Sequence, residues 1–216
     1  MYFTRIELNA VRRQTRKLLG NPEAMHAAVS SLFPRSLEET GRLLWRVDRL
    51  REALYVYLVS EKKPDAASLI EQAGWETAPA QIADYSAFLD QLTKGQQYAF
   101  KLCANPTRTI WIPGSRGKRV PHVTAHQQLQ WFLNKTEALG ISCVGESESE
   151  NPTVQITRRG QQLVYKRANQ RVPITYAVFE GLCTVTNPEL LRKALCEGVG
   201  REKAYGYGLL TLAKPE

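Results

Sequence analysis

The sequence predicts an α+β protein made of two successive β-α-β-β-α-β units. Three observations carry that expectation. Short runs of alternating apolar and polar residues recur along the chain, as half-buried strands require. Between them lie runs of helical spacing, opened by Asn or Thr and closed by Pro or Gly. The same order of elements then begins again after residue 91, and 216 residues allow two domains of about a hundred each.

In the first half, residues 2–9 alternate, with Tyr2, Thr4, Ile6 and Leu8 on one side and Phe3, Arg5 and Glu7 on the other. A basic connector with Arg12, Arg13, Arg16 and Lys17 follows. Asn21-Pro22 opens a helix, Asn as N-cap and Pro at the first helical position, where its missing N–H costs nothing. Met25, Ala28, Val29 and Leu32 then fall on one helical face, and Pro34 stops the run. Residues 43–49 and 53–60 read as strands, the second rich in Tyr, Val and Leu. A short helix over 64–72 and a weak strand over 80–85 complete the unit.

The second half opens with a strand over 97–104, followed by a loop over 105–123 rich in Gly, Pro and Arg. Thr124 caps a helix expected to run to Leu139, with Gly140 just past its end. Residues 153–159 and 162–167 read as a hairpin turning at Gly160, and 172–185 as a long apolar strand. A helix over 188–196, capped by Asn187 and ended by Gly198, precedes a last strand over 208–213. Two β-α-β-β-α-β units make two tandem ferredoxin-like domains, expected at residues 1–91 and 92–216. That fold serves many functions and decides none by itself. It is also the fold of the RRM, but the RNP1 aromatics are not found in this sequence.

Charge narrows the function. With 43% hydrophobic and 23% charged residues the chain is not a disordered one, and no apolar run is long enough to cross a membrane. No secretory signal opens it, so Cys103, Cys143, Cys183 and Cys196 are expected as thiols and the protein as cytoplasmic. Its 29 Lys and Arg outnumber 21 Asp and Glu, for a net charge of +8. No acid occurs from Gln91 to Thr136 or from Asn151 to Phe179, while acids gather at Glu38-Glu39 and at Glu146, Glu148 and Glu150. Two long acid-free stretches suggest a positive face able to follow a polyanion, rather than a membrane surface, which would call for one basic amphipathic helix.

Few residues offer chemistry. His122 and His126 are four apart, but with Thr124 as the cap they do not share a helical face, and no further ligand pattern supports a metal. His26 lies about 100° around its helix from Met25, at the rim of the apolar stripe, with Glu23 and Ser30 as neighbours. It reads either as a histidine covering the edge of the core or as a proton-transfer group facing a phosphate. The run from Gly198 to Gly208 lacks the third glycine of a dinucleotide fingerprint, and Gly114 to Arg119 lacks the spacing of a Walker A loop. Glycines in the former let backbone N–H groups, with Arg201 or Lys203, approach a phosphate, or they simply turn the chain into its last strand.

Several of these segments coincide in one resemblance. The opening Met1-Tyr-Phe-Thr-Arg-Ile6, Gly20-Asn-Pro-Glu-Ala-Met-His26, Phe100-Lys-Leu-Cys-Ala-Asn-Pro106, Val178-Phe-Glu-Gly181 and the run from Gly198 to Ala213 together resemble the CRISPR repeat-processing endoribonuclease of type I-E systems, the CasE subunit of Cascade. The resemblance extends over essentially the whole chain in the same order. It implies two ferredoxin-like domains that bind a CRISPR repeat stem-loop, cut it at the base of the stem without a metal or other cofactor, and stay bound to the mature crRNA beside the other Cascade subunits. It implies that His26 is catalytic.

A metal-free cut uses the substrate's own 2′-OH, leaving a 2′,3′-cyclic phosphate and a 5′-OH, and an imidazole can serve it as base or acid. Some relatives carry a Tyr before the histidine and a Lys after it; the matching places here hold Glu23 and Ser31. Lys17, Arg16 or Arg13 could supply the missing cation, and Glu23 could hold a protonated His26. The cations expected to touch RNA are Arg12, Arg13, Arg16 and Lys17; Arg108, Arg116, Lys118 and Arg119; Arg158, Arg159, Lys166 and Arg167; and Lys203. The alternative is a non-catalytic subunit that binds the RNA hairpin.

Overall fold

A computed structural model describes residues 1–34, 42–111, 113–114, 116–144, 152–166 and 170–215. The acidic clusters at Glu38-Glu39 and Glu146 to Glu150 lie outside these, as does Arg167. The chain divides into two compact units: Met1–Gln91 with Cys196–Gly198 and Glu202–Leu209, and Leu92–Leu195 with Val199–Arg201 and Leu210–Glu216. No described helix is long and apolar enough to cross a membrane.

The first unit runs β1 (Tyr2–Leu8), α1 (Arg13–Gly20), α2 (Pro22–Ser30), β2 (Leu44–Leu50), β3 (Ala53–Ser60), α3 (Ala67–Ala73) and β4 (Gln81–Asp84), followed by a short α4 (Ser86–Asp90). Its sheet has the order β2-β3-β1-β4, every neighbour antiparallel. Ile6 stands opposite Val56, and Val56 opposite Val47, so the alternation of each strand delivers its apolar side to one face. On that face Ile6, Leu8, Val56 and Leu58 meet Leu18, Met25, Val29 and Leu69 from the helices. Each such side chain contributes about 1.5–3 kcal/mol on burial.

The second unit runs β5 (Gln97–Ala104), β6 (Thr107–Ile110), β7 (Lys118–Pro121), α5 (Ala125–Leu133), β8 (Ile141–Ser142), β9 (Val154–Lys166), β10 (Gln170–Val185), α6 (Pro188–Glu197) and β11 (Leu210–Ala213). Its sheet has the order β11-β5-β10-β8, and β9 also pairs with β10 farther along. Taking β8 and β9 as one interrupted strand, this is the order of the first sheet again. Both units are ferredoxin-like. Phe132 anchors the second core, with ring centroids 4.9 Å from Phe179 and 5.3 Å from Phe100.

Four expectations change. The basic connector is a helix, α1, which buries Thr15 and Leu18 and keeps its cations outside; a face that narrow leaves little apolar periodicity to read. The Gly-Pro-Arg loop contains the β6–β7 hairpin, with Arg108 opposite Val120 and Thr109 opposite Arg119. The chain does not turn at Gly160. Strand β9 passes straight through it, and the glycine is needed because the Tyr176 ring lies where a side chain would go, its Oη 2.8 Å from an added Cβ. Helix α5 ends at Leu133, and Gly140, with φ +69°, comes after further turns rather than at its end.

Candidate functional site

Helix α2 begins where the sequence says it should. The Asn21 side chain accepts from the Ala24 N–H at 3.0 Å, and Pro22 follows at the first position. Met25 and Val29 are buried against the sheet, which sets His26 at the edge of the packed face, half-buried. Its Nδ1 is buried with no hydrogen-bond partner, and burial lowers its pKa from the ordinary 6.5. The imidazole is therefore neutral at neutral pH. A Glu23 carboxylate holding the protonated ring would move the pKa the other way.

The glycine-rich segment was expected in the second domain, yet Glu202–Leu209 packs in the first. Three consecutive residues of β2 explain why. An added Cβ at Gly198 would come within 2.7 Å of Leu44, and one at Gly206 within 2.7 Å of the Trp45 ring. The Arg46 guanidinium donates to the Leu209 carbonyl at 2.6 Å. Leu44 and Arg46 point to one face of the strand and Trp45 to the other, so the segment wraps the free edge of β2. Gly198 and Gly206, with φ of +74° and +84°, supply left-handed backbone as well as close approach. Arg46 is itself only 3% exposed and is held by both oxygens of Asp48, at 2.8 to 3.1 Å.

Within the segment a single 3-10 turn, Lys203–Tyr205, packs on α2, the helix of His26. Lys203 is half-buried, and its Nζ donates to the Glu197 carbonyl at 2.6 Å. Burial lowers its pKa, and the charge of Arg42 lowers it further. The first unit thus brings together, on one helix and the turn packed against it, a neutral imidazole and a fixed cation. Arg42 had no signal in the sequence, being an isolated Arg in a connecting segment.

The remaining predicted cations sort by their contacts. Arg12 reaches the Glu71 carbonyl and pairs with Glu76 at 3.0 Å, so it ties α1 to the α3 region. Arg13, Arg16 and Lys17 are exposed along α1. In the second unit Arg108, Lys118 and Arg119 project from the β6–β7 hairpin with Arg116 at its loop, all exposed. Arg158 lies over the Tyr176 ring, 5.8 Å from its centroid, and Arg159 donates to the Val123 carbonyl at 3.1 Å. Lys166 closes β9, and its side chain lies outside the described part. His122 and His126 border one groove together with Gln127, Gln130 and Trp131, although they do not share a helical face. Burial and the charge of Arg108 both lower the pKa of His122.

Residues 1–214 match the family model described as CRISPR associated protein. The CRISPR-associated endoribonuclease Cse3 of Thermus thermophilus is 33% identical over 221 residues, spanning 99% of this chain and 100% of that protein. The Cascade subunit CasE of Escherichia coli (strain K12) is 26% identical over 199 residues, 88% of this chain and 90% of that one. A solved structure of the CRISPR endoribonuclease Cse3 bound to 19 nt RNA superposes with a TM-score of 0.81 at 31% identity, covering 99% of this chain and 100% of that chain.

Proposed function

The chain belongs to the CRISPR associated protein family, and from that premise we propose that it is the endoribonuclease that cuts CRISPR precursor RNA at the base of the repeat stem-loop. The full-length likeness to Cse3 is the observation that carries this reading. The protein then stays on the product hairpin, the mature crRNA, as a subunit of Cascade in the cytoplasm. Its partners are the repeat stem-loop, the crRNA and the other Cascade subunits.

His26, neutral because it is half-buried, is the general base. It takes the proton of the 2′-OH beside the scissile phosphate. The 2′-oxygen then attacks phosphorus as the bond to the 5′-oxygen breaks in line with it; the 5′-oxygen takes a proton from solvent water and leaves as a 5′-OH, and the 2′,3′-cyclic phosphate remains. Negative charge builds on the phosphoryl oxygens during the step. Lys203, fixed on the turn against α2, offsets it. The Ser31 hydroxyl cannot serve, since it is a neutral group turned back onto the Ala28 carbonyl at 2.8 Å. Exposed cations of the β6–β7 hairpin, with Arg158, Arg159 and Lys166, meet backbone phosphates and supply affinity that falls with salt.

Incubation of the protein with a labelled cognate repeat RNA tests the reading. A single cut at the base of the stem, leaving a 2′,3′-cyclic phosphate and blocked by a 2′-deoxy nucleotide at the cut, is expected. Tight hairpin binding with no cut would instead establish the non-catalytic subunit, the alternative that Glu23 and Ser31 in the helper positions keep open.

A further inference from the structure

Between helix α5 and the outer strand β9 runs a groove of about 700 Å³, whose lining includes Gln128, Arg158, Arg159, Gly160, Gln161 and Thr175. Gln128 forms part of its floor and is only 1% exposed. Its Nε2 donates to the His122 carbonyl at 2.9 Å, and that bond fixes which way the amide faces. The other end, Oε1, is buried and accepts no hydrogen bond. A buried acceptor left unmet costs about 1–3 kcal/mol, and an apolar side chain of the same length would avoid that cost. Gln128 thus borders the groove with a buried oxygen that has no protein partner.

The rest of the lining describes the guest. Among the described residues no Asp or Glu lines the groove. The Arg159 guanidinium, braced on the Val123 carbonyl, is partly oriented before anything binds, while that of Arg158 lies over the Tyr176 ring. The Gln161 amide and the Thr175 hydroxyl, 3.4 Å apart, add polar groups on the same side. An anionic molecule carrying a hydrogen-bond donor at its inner end matches the Arg159 guanidinium and the unmet Gln128 oxygen.

We propose that this groove receives one unpaired nucleotide of the RNA, its phosphate beside Arg159 and the exocyclic amino group of its base donating to Gln128 Oε1. The base is unpaired because the major groove of an A-form stem is too deep and narrow for a buried side chain to read. An acceptor presented alone selects the amino group of cytosine, adenine or guanine and rejects the bare carbonyl that uracil offers in its place. Gln128 is thereby a specificity-determining residue, and the proposal rests on the reading of this chain as an RNA-hairpin-binding endoribonuclease.

The test measures affinity of the full-length protein for the repeat hairpin, with the amino group of each unpaired nucleotide removed in turn: cytidine to uridine, adenosine to purine riboside, guanosine to inosine. One position is expected to weaken binding about tenfold or more in the wild-type protein. The Gln128→Met variant is expected to bind that RNA and the unmodified one equally. Discrimination that survives in Gln128→Met overturns the proposal. So does a wild-type protein that binds the hairpin yet is indifferent to every amino group, or that responds only to 2′-deoxy substitution; these RNA-side results decide the matter even if the variant fails to fold. A wild-type protein that binds no hairpin at all overturns the RNA reading itself.

Discussion

The guanidinium of Arg46 donates to the main-chain carbonyl of Leu209 at 2.6 Å, across 163 residues of sequence. That bond ties the end of the glycine-rich segment to the edge of the first sheet and so holds Lys203 against the helix of His26. Both Arg46 and its partner Asp48 are almost fully buried. Arg46→Met leaves the Asp48 carboxylate buried and unmatched, with an expected loss of about 3–5 kcal/mol. Arg46→Met with Asp48→Leu removes both charges and should restore most of that stability. The double variant still lacks the Leu209 anchor. Denaturant unfolding beside single-turnover cleavage separates the two effects: stability returns while the rate stays low.

His26→Ala should reduce cleavage by roughly 10²–10⁴-fold, the usual worth of a positioned proton-transfer group. Hairpin affinity should hardly change, because phosphate contacts elsewhere supply it. Gel-resolved cleavage with a parallel binding titration checks both. Full activity in the variant would falsify the assignment of His26.

The acid limb of the pH–rate profile identifies the role of that imidazole. Burial depresses its pKa below the ordinary 6.5, so the neutral form already dominates near neutrality. As a general base His26 is active when neutral. The single-turnover rate should then rise with pH only in the region below 6.5 and be level by pH 7. A rate that falls as pH rises through that region would mark His26 as the acid.

Removing cations from the β6–β7 hairpin should act on affinity and not on chemistry. Arg108, Lys118 and Arg119 are exposed and lie on paired strands. Each one that meets a phosphate releases about one counterion on binding. The triple alanine variant should therefore flatten the slope of log K against log salt by about 2–3. Its cleavage rate at saturating RNA should stay near wild type. An unchanged salt slope would show that this hairpin does not touch the RNA backbone.

Gly206→Ala tests the loop from the other side. The position has φ +84°, where a side chain costs about 1–2 kcal/mol, and the added Cβ would lie 2.7 Å from the Trp45 ring. The turn carrying Lys203 must shift. Cleavage should fall at least tenfold, with little change in hairpin affinity at low salt.

Much of this was legible in the residues themselves. Asn21-Pro22 announced α2 because a cap and a proline act locally, and Met25 with Val29 placed His26 at a rim because helical spacing does too. Strand alternation similarly announced the sheet of the first unit. Signals failed where the deciding contact was distant. Gly160 looked like a turn, since a glycine between two polar strands is what a hairpin shows; only the Tyr176 ring across the ladder explains it. Helix α1 was hidden because its buried face is two residues wide. Trp45 and Leu44 looked like plain core strand, and nothing local tells that glycines from the far end of the chain lie against them.

Local patterns in the residues suffice for the two ferredoxin-like units, for a charge excess lying in two acid-free stretches, and for His26 on a capped helix beside its core face. Periodicity, caps and composition are properties of neighbouring residues, so they survive without a structure. It took the tertiary structure to show that the glycine-rich end belongs with the first unit, that Arg46 holds it there, and that Gln128 borders a groove with a buried oxygen left unmet. Those relations depend on side chains meeting across sheets and chain ends, where burial makes one hydrogen bond, or one missing, count for kilocalories.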